Sequence, residues 1–162
     1  MYRVGIITLS DKGYRGERED KSAPAIADAL PQAHFTVAEQ VLLPDDLDLL
    51  KAALIRLSDE VHCELILTTG GTGFSHRDIT PEATLAVAER NAPGIAEGIR
   101  AYSMGITKRA MLSRGVSVIR GNTLIINLPG SPKAVRECME FLGDTLVHGL
   151  DILTGRDGEC AR

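Results

Sequence analysis

The chain has 162 residues, of which 44% are hydrophobic and 25% charged, and this balance indicates a folded globular protein rather than a disordered one. Its formal net charge of −4 excludes a bulk basic surface for nucleic acid, and the sequence has no apolar run of the roughly 20 residues that span a bilayer. Only 4% of the residues are aromatic and 16 are glycines, which favours an aliphatic parallel sheet with glycine-rich ligand loops.

Cysteine usage and the first residues bear on the cellular compartment. Cys63, Cys138 and Cys160 are widely spaced and odd in number, so buried free thiols are favoured over disulfides or a zinc site. A strand pattern begins at Arg3, which leaves no room for a signal peptide. We therefore expect a cytoplasmic protein that binds neither a membrane nor nucleic acid.

The beginning of the chain predicts a strand, a loop, a helix and a second strand. Residues 3–9 form an apolar, β-branched run typical of a buried strand, and residues 10–19 form a polar loop. The helix that follows is capped by Asp20 or Ser22. Residues 35–43 then predict the second strand.

The next segment leads into a glycine-rich loop. Leucines recur at helical spacing over residues 47–57, with Asp46 as the predicted N-cap. Residues 65–68 predict a short buried strand that runs directly into a loop over residues 70–79. Thr80 begins the next helix as a hydroxyl cap, with proline at the first helical position.

The second half of the chain predicts more helix and a hairpin. Helical segments continue from Thr80 through Ala101, with a break at Pro93, and the stretch to Arg114 is a mixture of helix and loop. Strands over residues 116–119 and 124–128 then flank the tight turn Gly121-Asn122.

A single last helix and a polar tail complete the predicted elements. The helix opens after residue 131 and has on one face Val135, Met139, Leu142 and Leu146, and the tail begins at about residue 154. Strands that alternate with helices predict a three-layer α/β/α arrangement with a doubly wound, mainly parallel sheet. One antiparallel hairpin lies near residues 116–128. We expect a single domain over residues 1–162.

The strongest candidate for a functional site is the glycine-rich loop within residues 68–82. Closely spaced glycines allow successive backbone N–H groups to converge on an anion. Hydroxyl groups, a cation and the start of a helix add to such a site; the residues are Gly70, Gly71, Thr72, Gly73, Ser75 and Arg77. A plain connector between strand and helix is the less favoured interpretation. The loop matches neither the P-loop nor the Rossmann fingerprint.

The pair Asp45-Asp46 is a second candidate. One of the two aspartates caps the following helix, and the other is free to face the same cleft as Asp78. Paired carboxylates beside a phosphate site suit Mg²⁺. The spacing alone leaves this hypothesis and a purely structural role evenly balanced, and it does not decide which aspartate reaches the metal.

Two further strand ends combine a hydroxyl with a helix start. Gly130 and Ser131 follow the last strand, and Ser10 and Asp11 follow the first. Both segments suit an anion, and both are equally explained by turn and cap preferences. The four histidines lack metal-ligand spacing, and of these only His76 is expected near the cleft.

Taken together, these segments resemble the MogA/MoaB-type family of molybdenum cofactor biosynthesis proteins, which includes the gephyrin G domain. The resemblance extends from Val4 to about Leu150. It is carried by the pattern Thr-Gly-Gly-Thr-Gly-x4-Asp-x-Thr-x-Glu over residues 69–82, by Ala-Met-Leu-Ser-Arg over residues 110–114, and by Leu-Pro-Gly-Ser-Pro over residues 128–132.

The resemblance implies adenylyl transfer from ATP to the terminal phosphate of molybdopterin, with Mg²⁺ and release of pyrophosphate. It implies catalytic and metal-binding roles for Asp45 and Asp78. The nucleotide phosphates would contact Gly70, Gly71, Thr72, Gly73, Ser75, Gly130 and Ser131. The pterin would contact Ser10, Asp11, Ser113 and Arg114. A homotrimer or larger homo-oligomer and a molybdenum insertase partner are also implied.

Three positions depart from the family pattern. Ala23 stands where glycine is common, His76 where proline is common, and Val118 at a place often held by glycine. The last change is expected to affect the pocket near Ser113. Two other functions stay open at this point: a binding module without catalytic activity that docks on a molybdenum insertase, and a nucleotide-pyrophosphate hydrolase.

Overall fold

The structure is a computed structural model that describes residues 1–156. Cys160 and most of the predicted polar tail lie outside the described residues. In chain order the elements are β1 (Tyr2–Leu9), α1 (Asp11–Tyr14), α2 (Ser22–Ala29), β2 (Phe35–Leu43), α3 (Leu47–Asp59), β3 (Leu65–Thr69), α4 (Thr80–Val87), β4 (Arg90–Asn91), α5 (Pro93–Met104), a 3₁₀ helix (Lys108–Leu112), β5 (Ser117–Arg120), β6 (Thr123–Leu128), α6 (Pro132–Leu142) and α7 (Thr145–Thr154).

The six strands form one sheet in the order β2-β1-β3-β6-β5-β4. Strand β1 is parallel to both β2 and β3, and β3 is parallel to β6. Strand β5 runs antiparallel to β6 and to β4. This topology confirms the predicted mainly parallel sheet with one antiparallel hairpin, and it brings the carboxyl ends of β1, β2, β3 and β6 to the same edge.

Helices cover both faces of the sheet. On one face Ile6 and Leu67 pack with Ile26 of α2, Val135 of α6 and Leu150 of α7, all almost completely buried. The central parallel strands β1, β3 and β6 are therefore buried along almost their whole length, because helices cover both of their faces, whereas most residues of the edge strand β2 are partly or fully exposed. Burial of each apolar side chain in this core contributes about 1.5–3 kcal/mol.

The opposite face is covered by α3 and α4. Ile7 and Ile66 pack there with Leu50 and Leu54 of α3 and with Val87 of α4. Alternate residues of the same strands thus face two separate cores, as the period of two in a strand requires. The predicted three-layer arrangement is confirmed.

A short edge strand was missed by sequence reasoning. Helix α4 ends at Val87, and residues Arg90–Asn91 pair with β5 instead of continuing as helix. The backbone N–H of Glu89 donates to the carbonyl of Ile119 at 3.0 Å. The segment is extended because β5 offers an open edge, which the local sequence does not show.

The predicted single last helix is wrong in one respect, since it consists of two helices. Gly143 ends α6 with φ of 39°, a backbone conformation that favours glycine, and α7 begins at Thr145. Leu142 and Leu146 still enter the same core, each 3% exposed. The break divides the segment into two helices, and the predicted apolar residues on both sides of it still lie in one core.

Two details near helix starts also differ from the predictions. Residues 10–19 are not all loop, since α1 begins at Asp11 and is capped by Ser10, whose side chain accepts a hydrogen bond from the N–H of Gly13. The Thr80 hydroxyl does not cap α4 and instead donates to the carbonyl of Gly70 at 2.9 Å.

The described thiols are buried, as the sequence predicts. Cys63 and Cys138 are free and each is 1% exposed. Burial raises the pKa of Cys63 to about 11, so this thiol stays protonated and unreactive at neutral pH.

Within residues 1–156, none of the helices has both the length and the apolar character that a bilayer crossing requires.

Candidate active site

A cleft of about 830 Å³ lies at the carboxyl edge of the sheet, where the ends of β1, β2, β3 and β6 meet. Ligands of open α/β sheets bind at this edge, and the volume suits a small-molecule substrate. The predicted site residues that line it are Ser10, Asp11, Asp45, Gly70, Gly71, Asp78, Gly130 and Ser131. The fold therefore brings together residues from separate segments of the chain.

Two glycines shape the floor of this cleft and cannot be replaced without a clash. Gly70 and Gly71 have φ of 92° and 68°. A Cβ at Gly70 would lie 2.4 Å from the carbonyl oxygen of Leu9, and one at Gly71 would lie 2.4 Å from Oγ1 of Thr80. The turn after β3 thus needs glycine both for its backbone angles and for its close approach to neighbours.

Asp45 and Asp46 have different roles, which the spacing alone did not assign. Oδ1 of Asp46 accepts a hydrogen bond from the N–H of Leu49 at 2.9 Å and caps α3. Oδ2 of Asp45 accepts one from the N–H of Asp11 at 3.2 Å. Asp45 is therefore the carboxylate that lies in the cleft.

The carboxylates of the cleft repel one another. Burial raises the pKa of Asp45, and the negative charges of Asp11 and Asp78 raise it further. The pKa of Asp11 is lowered instead, because Arg77 donates hydrogen bonds to both of its oxygens at 2.9 and 3.0 Å. A cation bound between these carboxylates would offset their repulsion and stabilise the ionised form of Asp45.

Asp78 closes the glycine-rich loop. Its Oδ2 accepts a hydrogen bond from the N–H of Ser75 at 3.0 Å, and a Cβ at Gly73 would lie 2.9 Å from the same oxygen. Thr72, within the loop, is buried, with 8% of its surface exposed. Ser75 lines a neighbouring cavity of about 400 Å³ that shares Asp78 with the cleft.

The turn after β6 is held against the glycine-rich loop. The Oγ of Ser131 caps α6 by accepting a hydrogen bond from the N–H of Ala134 at 3.1 Å. The carbonyl of Gly130 accepts from the Ser22 hydroxyl at 2.8 Å, and that of Pro129 accepts from the Thr69 hydroxyl at 2.7 Å. These bonds place the N-terminus of α6 at the edge of the cleft, where it favours an anion.

Residues assigned to the pterin by resemblance fall in different places. Ser10 and Asp11 line the cleft, and Arg114 lines the neighbouring cavity. Ser113 is among the lining residues of neither, and its Oγ accepts a hydrogen bond from the N–H of Gly115 at 3.3 Å.

The three departures from the family pattern have distinct environments. Val118 is completely buried in the core beneath α3 and α4, so its side chain packs in the core rather than in the cleft. Ala23 is buried in the first turn of α2, where its N–H donates to Asp20 at 3.2 Å. His76 is exposed and lines the neighbouring cavity.

Charged residues of the segment after β1 were missed by sequence reasoning as part of the site. The cations Lys12, Arg18 and Lys21 line the cleft, as does Asp20, which accepts hydrogen bonds from Thr8 and from the N–H of Ser22. The polar composition of this segment was the available signal. These cations offset the carboxylates and suit a phosphate-bearing ligand.

The fold and the cleft define an α/β protein whose sheet carries, at its carboxyl edge, a polar cleft lined by carboxylates, cations and a glycine turn. The model of the family described as "Probable molybdopterin binding domain" matches residues 5–148, and the chain belongs to this family.

Relatives and solved structures agree with this membership. The chain is 44% identical to the molybdopterin adenylyltransferase of Escherichia coli K12, covering 91% of this chain and 79% of that protein. It is 40% identical to the protein of the same name from Helicobacter pylori J99, covering 94% and 88%. The crystal structure of the molybdopterin biosynthesis enzyme MoaB from Thermus thermophilus superposes with a TM-score of 0.91 at 48% identity, covering 96% of this chain and 98% of that one.

Proposed function

We propose that this protein is a molybdopterin adenylyltransferase, which transfers AMP from ATP to the terminal phosphate of molybdopterin and releases pyrophosphate. The observation that carries the proposal is the cleft itself. It places Asp45 and Asp78 beside the Gly70-Gly71 turn in a chain 44% identical to a protein of that name. Molybdenum cofactor biosynthesis is the process to which this family and these relatives belong.

In the proposed reaction a terminal phosphate oxygen of molybdopterin attacks the α-phosphorus of ATP in line. The new bond joins that oxygen to the α-phosphorus, the bond to the bridging oxygen of the β-phosphate breaks, and the electron pair leaves with pyrophosphate. The main difficulty is to bring two polyanions together. Catalysis therefore depends on positioning and charge stabilisation rather than on a covalent intermediate with the protein.

The residues of the cleft have complementary roles in this reaction. The Gly70-Gly71 turn and the N-terminus of α6 behind Ser131 hold the nucleotide phosphates. Lys12 and Arg18 lower the repulsion between the two substrates. Ser10 and Asp11, at the end of β1, orient the second substrate.

Asp45 and Asp78 fit a magnesium ion. Magnesium in phosphate-transfer sites is held by one or two carboxylates together with substrate phosphates and water. Asp45 meets this requirement because its pKa is raised by burial and by neighbouring carboxylates, so a bound cation would stabilise its charged form. Residues 1–156 contain no group of three or more His, Cys, Asp or Glu side chains placed to hold a metal by protein ligands alone. When bound, magnesium would neutralise charge on the transferring phosphate.

The wider setting follows from the same proposal. A homotrimer or larger homo-oligomer is supported by exposed apolar side chains on α5, the 3₁₀ helix and α6, among them Tyr102, which stacks on Phe141 at a centroid distance of 4.7 Å. The free buried thiols support a reducing cytoplasmic location. The adenylylated product would pass to a molybdenum insertase.

A product assay with ATP, molybdopterin and Mg²⁺ tests the proposal. The transferase makes pyrophosphate and adenylylated molybdopterin in equal amounts. A binding module would make neither product, and a nucleotide-pyrophosphate hydrolase would cleave ATP without forming the pterin adduct. Either of the last two results would contradict the proposed function.

A further inference from the structure

Arg114 uses its whole guanidinium group to hold the loop that carries Asp78. Its Nε donates to the carbonyl of Gly73 at 2.7 Å, and its Nη2 donates to the carbonyl of Asp78 at 2.9 Å. Gly73 and Asp78 are the two ends of a six-residue loop, so one side chain sets the distance between them. The backbone N–H of Arg114 also donates to the carbonyl of Thr72 at 2.8 Å.

Glu82 in turn holds the guanidinium. Nη1 of Arg114 donates to both carboxylate oxygens of Glu82, at 2.6 and 3.1 Å. Glu82 lies in the first turn of α4, which fixes it to the helix that follows the loop. Only arginine presents several donors in one rigid plane, so a lysine at this position cannot make all of these bonds.

Among residues 1–156, Asp78 is the only hydrogen-bond partner of Arg114 that lines the cleft. Arg114 lines the neighbouring cavity and is not among the residues that line the cleft, whereas Asp78 lines both. The Asp78 carboxylate is also held from within the loop by the N–H of Ser75. A shift of the loop would therefore move this carboxylate relative to Asp45.

We propose that Arg114 is a positioning residue, which sets the place of the Asp78 carboxylate in the cleft, and that Glu82 orients it. This role differs from the direct pterin contact that the family resemblance implies for Arg114. The activity readout of the proposal depends on the proposed adenylyltransferase function, and the structural readout does not.

The substitution Arg114→Lys separates positioning from direct substrate binding. If Arg114 positions Asp78, kcat falls by about 10²-fold, the effect expected of a small misplacement at a reacting centre, and the KM for molybdopterin stays near the wild-type value. The Mg²⁺ concentration needed for half-maximal rate rises as well. An increased KM for molybdopterin with unchanged kcat would instead show direct binding and overturn the proposal.

Glu82→Gln provides a second test that keeps Arg114 in place. It removes the charge that orients the guanidinium but keeps one acceptor oxygen, so kcat falls in the same direction and by less than in Arg114→Lys. Unchanged kcat and Mg²⁺ dependence in both variants would overturn the proposal.

Arg120→Lys is the matched control. Arg120 also holds a carboxylate and a carbonyl, those of Asp59 and Val87, but it lies on the hairpin, away from the cleft. Its replacement is expected to leave kcat unchanged. A fall in kcat equal to that of Arg114→Lys would show a general loss of stability and overturn the positioning role.

Hydrogen exchange of the ligand-free protein completes the experiment. Arg114→Lys is expected to speed amide exchange over residues 73–78, and Arg120→Lys is not. If exchange speeds up as expected but wild-type protein forms no adduct, the proposed function is wrong, while the role of Arg114 in holding the loop is supported. If wild-type protein is active and exchange in this loop is unchanged, the positioning role is the part that fails.

Discussion

Asp11 and Asp45 bind each other's backbone. The N–H of Asp11 donates to Oδ2 of Asp45 at 3.2 Å, and the N–H of Asp45 donates to Oδ1 of Asp11 at 3.0 Å. This reciprocal pair joins the ends of β1 and β2 and holds two carboxylates at one wall of the cleft. Arg77 forms an ion pair with Asp11, whereas Asp45 has no ion pair of its own within residues 1–156.

The first prediction concerns Asp45→Asn. The amide oxygen can still accept from the N–H of Asp11, so the fold is preserved while the negative charge is lost. We expect adenylyl transfer to fall by about 10²-fold or more, the usual effect of losing one electrostatic contact at a reacting centre. Steady-state kinetics at saturating Mg²⁺ would measure this change.

Asp46→Asn is the matched control for that substitution. Asp46 carries the same charge one residue away but caps α3, and asparagine caps as well as aspartate does. Turnover is expected to stay near the wild-type value. Equal losses in the two variants would contradict the assignment of Asp45 alone to the cleft.

The second prediction isolates the structural role of Asp46. Asp46→Ala removes the acceptor for the N–H of Leu49 and is expected to lower the free energy of unfolding by about 1 kcal/mol. Urea denaturation measures this loss, and kcat at a temperature where the variant is folded should not change. A large fall in kcat would show that Asp46 also acts on the substrates.

The third prediction concerns Gly71→Ala. The new Cβ would lie 2.4 Å from Oγ1 of Thr80, and the backbone has φ of 68°. Left-handed strain and overpacking together predict a loss of about 2–4 kcal/mol in the free energy of unfolding. Gly121→Ala is the control, because it has φ of 53° and no atom within 4 Å of its Cβ, so it should lose less. Equal losses would show that the close contact with Thr80 is unimportant.

The fourth prediction is a pH dependence of stability. The pKa of Asp45 is raised in the folded protein, so between its ordinary and its raised value the native state binds more protons than the unfolded state. The contribution of Asp45 to stability therefore falls as the pH rises through this window. In the presence of a chelator, the free energy of unfolding of Asp45→Asn should exceed that of wild type at pH 7, because the variant lacks the unfavourable charge. The difference should shrink as the pH falls toward about 4. If Asp45→Asn is instead less stable than wild type at pH 7, the predicted direction of the effect of the Asp45 charge on stability is wrong.

The fifth prediction concerns a buried amide beneath the site. Nδ2 of Asn127 donates to the hydroxyls of Thr68 and Thr84, both at 3.0 Å, and its Oδ1 accepts from the N–H of Val116. Asn127→Ala removes all three of these bonds, although the Thr84 hydroxyl keeps its bond to the carbonyl of Thr80, and we expect a loss of about 1–3 kcal/mol in unfolding experiments. Exposed Asn122 in the hairpin turn is the control, and a similar loss in Asn122→Ala would contradict the role of the buried network.

The sheet and the glycine-rich loop could be predicted because their causes are local. Apolar runs such as residues 65–68 predict buried strands, and the glycines after them indicate a turn with unusual backbone angles. Since parallel strands end at one edge, the meeting of Asp45 and Asp78 in one cleft followed from the topology.

What could not be predicted depends on contacts between distant segments. Which of Asp45 and Asp46 enters the cleft depends on Asp11, which lies 34 positions before Asp45 in the chain. The side-chain hydrogen bonds of Arg114 join it to residues that lie 32 to 41 positions earlier in the chain. Sequence patterns report local preference and periodicity, and these contacts leave no such trace.

The most direct test of the account combines the proposed reaction with the proposed site. ATP labelled at the α-phosphate is mixed with molybdopterin, Mg²⁺ and an excess of either wild-type protein or Asp78→Ala, and the label is followed through a single turnover. We predict that wild-type protein transfers the label to molybdopterin with one pyrophosphate released per adduct, and that the folded Asp78→Ala variant loses most of this transfer. Near-normal transfer by Asp78→Ala at saturating Mg²⁺, or no labelled adduct with wild-type protein, would contradict the account.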